Sequence, residues 1–530
     1  MCGIAGWFNL TDNNENSRED LLSMLNQISH RGPDSIGAYG HDRVYMGNVR
    51  LSIIDITGGT QPVGNEDGSV WTVYNGEIYN YKDLAEKYEF SLTTGSDCEI
   101  ILYMYRKFGI EKTVNALDGV FMFVLHDASS NLLFASRDPI GVRPGFMGRI
   151  KDEMFIASEA KPLIQFCDTI LPFPPGTWWC SDLPEKFNRY FNYNGVVMQD
   201  KNEDAICDQI RTLMINAVKK RLMSEREIGC LLSGGLDSSL ITSLVSRYNN
   251  GQKLNTFSIG MPGSVDLEYA QIVADFLGTK HHQIKISEKD FLDAIDIVIY
   301  NIESYDTTTV RASVGNYLIS KYISVNTNCK VIFNGDGSDE VCCGYVYLKN
   351  APSLELLQSE SERLVEELHY FDVLRSDRSI SSNGLEARTP FLDKAFVKYY
   401  LSIPADMKMF DGEQRLEKHL LRKAFDYQGL LPDEVLWRRK CAFSDGVSSQ
   451  KKSWHKIIQT FVDQRISDDE FFRERRLFKH CTPQLKESYY YRKVFQEFFG
   501  DNGELIPHFW MPRWTNVVDP SARELTDYKE

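Results

Sequence analysis

The stretch Ile228–Val245, IGCLLSGGLDSSLITSLV, constrains this chain more than any other. An apolar run from Ile228 to Leu232 gives way to small residues from Ser233 to Ser239. Leu240, Ile241, Leu244 and Val245 then return at helical spacing. The pattern predicts a strand, a tight loop and a helix, in that order. Paired glycines let the backbone approach a ligand closely, and the helix start offers N–H groups without intrahelical partners. The hydroxyls of Ser233, Ser238 and Ser239 add donors. The loop is therefore shaped for an anion, phosphate above all, although a ligand-free Gly-rich turn shares the local pattern. No Gly-Lys-[Ser/Thr] closes it, so it is not a Walker loop.

Strand-like and helical patterns alternate beyond it. Thr256–Gly260, Gln283–Ile286 and Lys330–Phe333 read as strands. Ala270, Val273, Ala274 and Leu277 mark a helix, and long helices are expected over 289–303 and 311–324. Alternation of this kind predicts an α/β domain with a parallel sheet between helices. Ligands in such sheets sit beyond the carboxyl ends of the strands. The loops 233–239 and 334–340 both lie there. The second loop reads Asn334-Gly335-Asp336-Gly337-Ser338-Asp339-Glu340. Carboxylates this close to a bound triphosphate repel it unless a divalent cation intervenes. Mg2+, held by one or two carboxylates and by phosphate oxygens, is expected, with Asp237 and Asp339 as its carboxylates. A solvated acidic turn has the same composition. A calcium loop does not fit, because Cys342, Cys343 and Gly344 stand where its later ligands would be.

At 530 residues the chain exceeds a single core, and two or more domains are expected. A net charge of −15 implies no overall attraction to nucleic acid or to a membrane surface. The 11 cysteines include no CxxC pair, so neither a zinc ribbon nor a disulfide framework is indicated, and a reducing compartment suits them. No apolar run approaches the ~18 residues of a membrane span, and no basic-then-apolar leader opens the chain. The expected location is cytoplasmic, with small molecules as partners rather than nucleic acid or membrane. The oligomeric state, a homodimer included, stays open.

The first 195 residues carry frequent strand signals of the antiparallel kind. The chain opens Met1-Cys2-Gly3-Ile4-Ala5-Gly6. Removal of Met1 would leave Cys2 first, with thiol and α-amine on one residue. An α-amine of ordinary pKa, about 7.7–8.0, serves as general base for the thiol directly or through one water. Arg50-Leu51-Ser52-Ile53-Ile54-Asp55 alternates like a strand and begins with a cation whose fork of N–H donors suits a carboxylate. An exposed strand arginine is the plainer reading. Val70–Tyr74 reads as a strand that ends in Asn75-Gly76-Glu77. The Asn amide and the Gly N–H can supply an oxyanion hole, or Asn-Gly can be a hairpin turn. Asp97 stands where it can N-cap a helix expected over Glu99–Phe108. Gly119–Leu125 and Leu132–Ser136 read as a hairpin. Strand signals end near Tyr193, residues 195–203 are polar and unpatterned, and a helical stripe begins at Ile206. Domains of 1–195 and 203–530 follow.

MCGIAGWF, His30-Arg31-Gly32-Pro33-Asp34, Thr94-Gly95-Ser96-Asp97-Cys98-Glu99 and Arg137-Asp138-Pro139-Ile140-Gly141-Val142-Arg143-Pro144 resemble the class II glutamine amidotransferases. In that family the cysteine attacks the side-chain amide of glutamine. The resemblance implies a four-layer αββα sandwich of the N-terminal-nucleophile type. It assigns Arg50 to the α-carboxylate of glutamine and Asp97 to its α-ammonium. It places Ile53 and Glu77 in the glutamine pocket, and Asn75 and Gly76 in the oxyanion hole. His30 is read as structural. The RDPIGVRP loop and Phe155–Lys161, FIASEAK, are structural or part of the contact with the second domain.

SGGLDSS resembles the pyrophosphate loop of the ATP pyrophosphatases, which form adenylates. SGGLDSS, MPGSVDL, YDTTTVRAS, FNGDGSDEV, GLEARTPFLD, WRRKCAFSDGV and PRWTNVVDPSAR follow one another in an order similar to that of glutamine-hydrolysing asparagine synthetases. With the amidotransferase half, the likeness covers nearly the whole chain. It implies an α/β multidomain protein, the sandwich followed by a parallel-sheet ATP pyrophosphatase domain with helical additions. Leu232 and Ile259 match positions that hold adenine. Ser233, Gly235, Asp237, Ser238 and Ser239 match the pyrophosphate loop, and Asn334 and Gly335 match ATP-contacting positions. Arg311, Arg388 and Lys440 match basic residues of the synthetase site, where Lys440 would stabilise charge on the α-phosphate and the leaving pyrophosphate. Asp336 replaces a glutamate linked to acyl-adenylate formation and is one methylene shorter. Cys342-Cys343 stand where aromatic and glycine residues are common, which is read as local packing.

The implied reaction hydrolyses glutamine at Cys2 through a γ-glutamyl thioester. ATP and Mg2+ activate the side chain of aspartate as β-aspartyl-AMP, and ammonia arriving by an internal passage attacks it. Three rivals differ in kind. Adenylation of another acid occurs in β-lactam-forming relatives, which generally lack the terminal cysteine. An RNA-modifying enzyme would call for a basic face. A non-catalytic interaction protein would have no use for Cys2, Asn75, Asp97, Asp237 and Asp339 together.

Overall fold

The computed structural model describes residues 1–8, 17–193, 197–199, 201–249, 251, 253–427, 429–440, 446–449 and 452–521. Residues 441–445, which give Lys440 its sequence context, lie outside the described residues, as do Ala522 and Arg523 of the PRWTNVVDPSAR motif. The chain divides into two compact units. One comprises Met1–Asn192, Met223–Glu227 and Ser381–Glu386; the other comprises Tyr193–Leu222, Ile228–Ile380 and Ala387–Glu530.

In the first unit the strands are β1 (Gly3–Phe8), β2 (Ser35–His41), β3 (Val44–Arg50), β4 (Val63–Gly64), β5 (Val70–Ile78), β6 (Gly119–Asp127), β7 (Leu132–Arg137), β8 (Phe146–Ile150), β9 (Glu153–Ala157), β10 (Thr169–Pro172), β11 (Thr177–Cys180) and β12 (Phe187–Arg189). They form two sheets, ordered β10-β8-β9-β1-β3-β2 and β12-β11-β7-β6-β5-β4. Neighbouring strands are antiparallel throughout.

Period-two patterning decides the layering. Along β6, Met122 and Val124 join a core that also holds Ile4, Phe8, Met46 and Ile156, so this core lies between the sheets. Phe121, Phe123 and Leu125 point the other way, into a core with Leu84, Ile100, Ile101 and Met104 of the helices Tyr81–Tyr88 and Glu99–Ala116. Each large side chain buried this way contributes about 1.5–3 kcal/mol. The helix Ser17–Gln27 buries Leu21, Met24 and Leu25 and packs on β1 and β3. The layers are helix, sheet, sheet, helix: an αββα sandwich.

Two local expectations change here. The strand expected over 50–55 stops at Arg50, the last residue of β3. The Arg50 guanidinium binds the carbonyls of Ile54 at 3.2 Å, Asp55 at 2.7 Å and Gly58 at 2.7 Å, which curls Leu51–Gly59 around the side chain. Asn75-Gly76 is not a turn. Both residues lie inside β5, opposite Met122 and Phe121. A Cβ at Gly76 would stand 2.1 Å from Val120 O, so only glycine permits this pairing.

The second unit is built on a sheet of β13 (Glu227–Leu231), β14 (Asn255–Gly260), β15 (Lys280–Lys285), β16 (Cys329–Phe333) and β17 (Glu386–Arg388), in the order β15-β14-β13-β16-β17. β13, β14 and β15 are parallel to one another. The chain moves outward from β13 to β15, then returns to place β16 on the other side of β13. The order therefore reverses between β13 and β16, which is where ligands bind in open sheets of this type. The two sequence-predicted loops follow these two strands. The helix expected over 289–303 is broken in two, Glu288–Asp293 and Ile295–Ile302, and that over 311–324 extends from Thr307 to Asn326. Among the described residues no helix is long and apolar enough to cross a membrane.

Two candidate active sites

In the first unit Cys2 stands at the entrance to β1. Its carbonyl accepts from Arg31 Nε at 3.0 Å, and its Sγ lies 3.8 Å from Leu51 O. Burial pushes the thiol up, against the pull of the chain's amino group and of Arg50. The Leu51–Gly59 loop runs from this contact to the next. The Asp55 carboxylate accepts from Gly58 N and from Gly95 N, each at 3.0 Å, which ties the loop to Thr94–Cys98.

There Asp97 turns away from the helix it precedes. Its Oδ2 accepts from Tyr74 OH at 2.9 Å and from Ile78 N at 2.7 Å, while the helix Glu99–Ala116 starts without a side-chain cap. The N-cap position of that helix is Cys98 rather than Asp97. The two donors flank Asn75, Gly76 and Glu77 on β5, so Asp97 is braced against the strand that carries them. The Asn75 side chain is fully buried, and neither Nδ2 nor Oδ1 has a partner among the described residues. A buried amide left unsatisfied costs about 1–3 kcal/mol. The Asn75 amide is a donor that the described residues leave unused.

His30 contacts Glu159 at 3.2 Å, and Arg31 and Lys161 pair with the same carboxylate. The HRGPD and FIASEAK elements are thus held together by one buried anion. In the RDPIGVRP loop, Asp138 accepts from the backbone N–H groups of Ile140, Gly141, Val142 and Arg143.

In the second unit a cavity of about 270 Å³ opens beyond β13 and β16. Leu232 and Ile259 line its apolar part, and Ser233, Gly235, Asp237, Ser238, Asn334 and Gly335 line its polar part. Gly234, at φ +73°, makes the turn after β13, and a Cβ there would meet Tyr269 at 2.4 Å. The Ser238 hydroxyl lies 3.2 Å from Ser233 N and 3.0 Å from Ser233 Oγ, which closes the loop on itself.

Charges alternate across the cavity. Asp237 Oδ1 accepts from Ser338 Oγ at 2.7 Å, and its Oδ2 lies 2.6 Å from Lys418 Nζ. The same ammonium is 2.6 Å from Asp339 Oδ1, which Lys440 also touches. Burial would push the Asp339 carboxyl up, but Lys418 and Lys440 outweigh it and hold Asp339 well below the usual carboxylate range. Lys440 Nζ sits 4.6 Å from the centre of the Tyr345 ring. Tyr345 OH bonds Glu340 and lies 3.2 Å from Asp372 Oδ2. Burial first, then Asp372, raises the Glu340 carboxyl far above the usual range. Arg375 completes the run, 2.6 Å from Asp372 and 2.9 Å from Asp336. Asp336 Oδ2 is buried with no partner among the described residues.

Asp237 and Asp339 converge on one ammonium, so the pair fits a single hard cation. Among the described residues no three His, Cys, Asp or Glu side chains gather as for a metal held by protein alone. An ion here would depend on phosphate oxygens for the rest of its shell.

Three assigned residues are placed differently from the rest. Ser239 does not line the cavity; it is buried in the helix Leu236–Tyr248. Arg388 does not line it either. It is buried in β17, its Nη1 donates to Arg221 O at 2.8 Å, and its carbonyl accepts from Asn334 N at 3.1 Å. Arg388 supports the loop from behind. Arg311 does line the cavity, but its guanidinium is engaged by Glu487 and Asp519.

The family model described as "Glutamine amidotransferase domain" matches residues 1–172, and the one described as "Asparagine synthase" matches 209–361 and 350–519. Over 566 residues the chain is 43% identical to the asparagine synthetase [glutamine-hydrolyzing] of Rattus norvegicus, spanning 100% of this chain and 99% of that protein. The Homo sapiens protein of the same name is also 43% identical, with the same coverage. That of Gallus gallus is 42% identical over 570 residues. The chain belongs to the family of glutamine-hydrolysing asparagine synthetases.

Sequence reasoning missed several residues of these asparagine synthetase-type sites. Glu225 accepts from Asp55 N at 2.9 Å and Ile56 N at 3.2 Å, and Arg226 Nε donates to Ser52 O at 2.8 Å. These residues brace the Arg50 loop from a point far along the chain, and no local pattern announces that. Lys418 was hidden inside the helical stripe LEKHLLRKAF. It adopts φ +58°, a left-handed conformation that side chains other than glycine rarely take. Gly344 makes room for it, since a Cβ there would stand 2.0 Å from Lys418 Cε and 2.2 Å from Asp339 Oδ1.

Proposed function

We propose that this chain makes asparagine from aspartate and ATP, with glutamine as nitrogen donor. The observation that carries the reading is the buried Asn75 amide, kept without a partner on the strand against which Asp97 is braced. Buried amides are satisfied as a rule, and here both polar atoms of the side chain lack a partner among the described residues.

Cys2 acts as nucleophile once Met1 is removed. Met1 is itself buried, its thioether set against the Arg31 and Arg143 guanidinium groups, and burial pulls its amine down to about 6. A thioether gains little from two cations, which supports removal. The Cys2 thiolate attacks the glutamine amide carbon, its α-amine takes and returns the proton, and ammonia leaves. Asn75 Nδ2 and Gly76 N stabilise the oxyanion. Arg50 and Asp97 hold the two ends of the amino acid. Water then releases glutamate from the thioester.

In the second unit ATP lies with adenine near Leu232 and Ile259 and its phosphates over Ser233–Ser238. Asp237 and Asp339 would hold Mg2+ together with phosphate oxygens, and that ion supplies charge neutralisation between the triphosphate and the acidic loop. An oxygen of the aspartate side chain attacks the α-phosphorus, and pyrophosphate leaves under the charges of Lys440 and Lys418. Ammonia attacks the acyl carbon, and AMP departs with that oxygen. The ten described cysteines are free, which supports a reducing, cytoplasmic setting.

The test is isotope transfer. With aspartate labelled by 18O in its side-chain carboxylate, and ammonia supplied, one labelled oxygen should appear in AMP. Label absent from AMP, or AMP formed equally well with glutamate in place of aspartate, contradicts the reading.

A further inference from the structure

Arg311 lies on the helix Thr307–Asn326 and is 3% exposed. Its Nε and Nη2 donate to Glu487 at 2.8 Å and 2.6 Å, and its Nη1 and Nη2 donate to Asp519 at 2.7 Å and 2.8 Å. Four of the five N–H bonds of a guanidinium are thereby committed to protein carboxylates. Little of this cation is left for a substrate anion.

Its two partners have different surroundings. Glu487 is on the helix Lys486–Phe499 and also accepts from Tyr491 OH at 2.8 Å. Asp519 belongs to the irregular segment Trp510–Ser521, which supplies Trp510, Pro512, Pro520 and Ser521 to the cavity wall. The segment is fastened at both ends. Trp510 N donates to Asp306 Oδ1 at 2.8 Å, and the Trp510 ring lies 5.2 Å from that of Tyr345. At the far end, besides Arg311, Gln459 Nε2 donates to Asp519 Oδ2 at 3.0 Å, and Ser521 N donates to Oδ1 at 2.8 Å.

We propose that Arg311 is a positioning residue: through Asp519 it seats the segment Trp510–Ser521 as a wall of the nucleotide cavity, and ATP binds tightly only while that wall is fastened. The proposal rests on the cavity being the ATP site. It narrows what the family resemblance implied for Arg311, a basic residue of the synthetase site. Neutralising Asp519 leaves Glu487 to hold the arginine, so the helices stay together while the strap loses its fork of charged hydrogen bonds. Neutralising Glu487 leaves the strap fastened.

The test uses the full chain, with ammonia-driven, aspartate-dependent release of pyrophosphate measured against ATP concentration. Asp519→Asn should raise KM for ATP about tenfold with kcat changed less than about twofold. Glu487→Gln should lower the melting temperature and leave KM for ATP in place. Trypsin supplies an independent readout at Arg513, whose side chain is 49% exposed. Cleavage after Arg513, followed by mass, should accelerate in Asp519→Asn and not in Glu487→Gln. Arg311→Lys, which keeps the charge and loses the fork, should show an intermediate KM and stands in if Asp519→Asn does not fold. An unchanged KM for ATP in Asp519→Asn, a fall in kcat alone, or an equal rise in KM in Glu487→Gln overturns the proposal. If the wild-type protein releases no pyrophosphate with aspartate, the functional reading fails instead, and cleavage after Arg513 still decides whether Asp519 seats the segment.

Discussion

The two sites solve opposite electrostatic problems. In the first unit the groups set aside for a reacting amide are neutral, the unpartnered Asn75 side chain and the strand residue Gly76, while the charges of Arg31, Arg50 and Asp97 are tied to the protein itself. Around the second cavity charged groups join the hydroxyls and amides, and signs alternate from Asp237 through Lys418 and Asp339 to Lys440, and again from Asp372 through Arg375 to Asp336. The contrast follows the chemistry. A neutral amide develops one oxyanion, which fixed dipoles stabilise without reorganisation. A triphosphate and a dicarboxylic acid bring several negative charges, and only paired cations and carboxylates can receive them without a large desolvation loss.

Substitutions can break or sharpen that contrast. Lys440→Ala has the largest expected effect. It should slow pyrophosphate release about 10³-fold with either nitrogen source, while glutamine hydrolysis, followed as glutamate, stays unchanged. Asn75→Ala should do the reverse, lowering kcat for glutamine hydrolysis about 10²-fold and sparing ammonia-driven synthesis. Because that amide is buried without a partner, the melting temperature of Asn75→Ala should hold or rise, as expected where stability has been traded for function. A fall in melting temperature would show that the amide is a structural bond after all.

The charge-rich unit should also be the acid-sensitive one. Asp393 is 2% exposed; burial would push its carboxyl up, but Arg221 and Lys220 outweigh it and bring it down to about 2. The folded state therefore binds this proton less readily than the unfolded state does. The stabilisation, about 2 kcal/mol, is complete above the ordinary carboxylate pKa of about 3.9 and is lost as pH falls through the folded value. Asp393→Asn should lower the melting temperature at pH 7 and have progressively less effect below pH 4. His281 follows the same proton linkage at higher pH, with the neutral form as the one the fold favours. Burial draws it from 6.5 to about 4. Since the folded state keeps this imidazole neutral, stability should decline between those two pH values as acid is added, and His281→Gln should flatten that slope in pH-dependent melting curves.

Much of both sites was legible because the chemistry demanded unusual residues in short runs. SGGLDSS and NGDGSDE need glycines for close approach, and the structure sets both at the reversal of strand order. The strand identity of Asn75-Gly76 was not legible, because Asn-Gly is also the commonest hairpin signal; the deciding fact is the approach of Val120 O, a residue far along the chain. Arg50 was legible as a cation, but not as the hub that ends its own strand. Lys418, Glu225 and Arg226 were invisible for one shared reason. They act across long sequence separations from segments whose local pattern is ordinary helix or turn. Asp336 was recognised as short by one methylene, and in the fold its carboxylate is met by Arg375, which no motif around it had suggested.

Cys2→Ala tests most directly whether one chain holds two separable chemistries. Synthesis of asparagine by this variant should be abolished with glutamine as donor and should run at the wild-type rate with ammonia. Loss of synthesis with both donors, or retention with both, would contradict it.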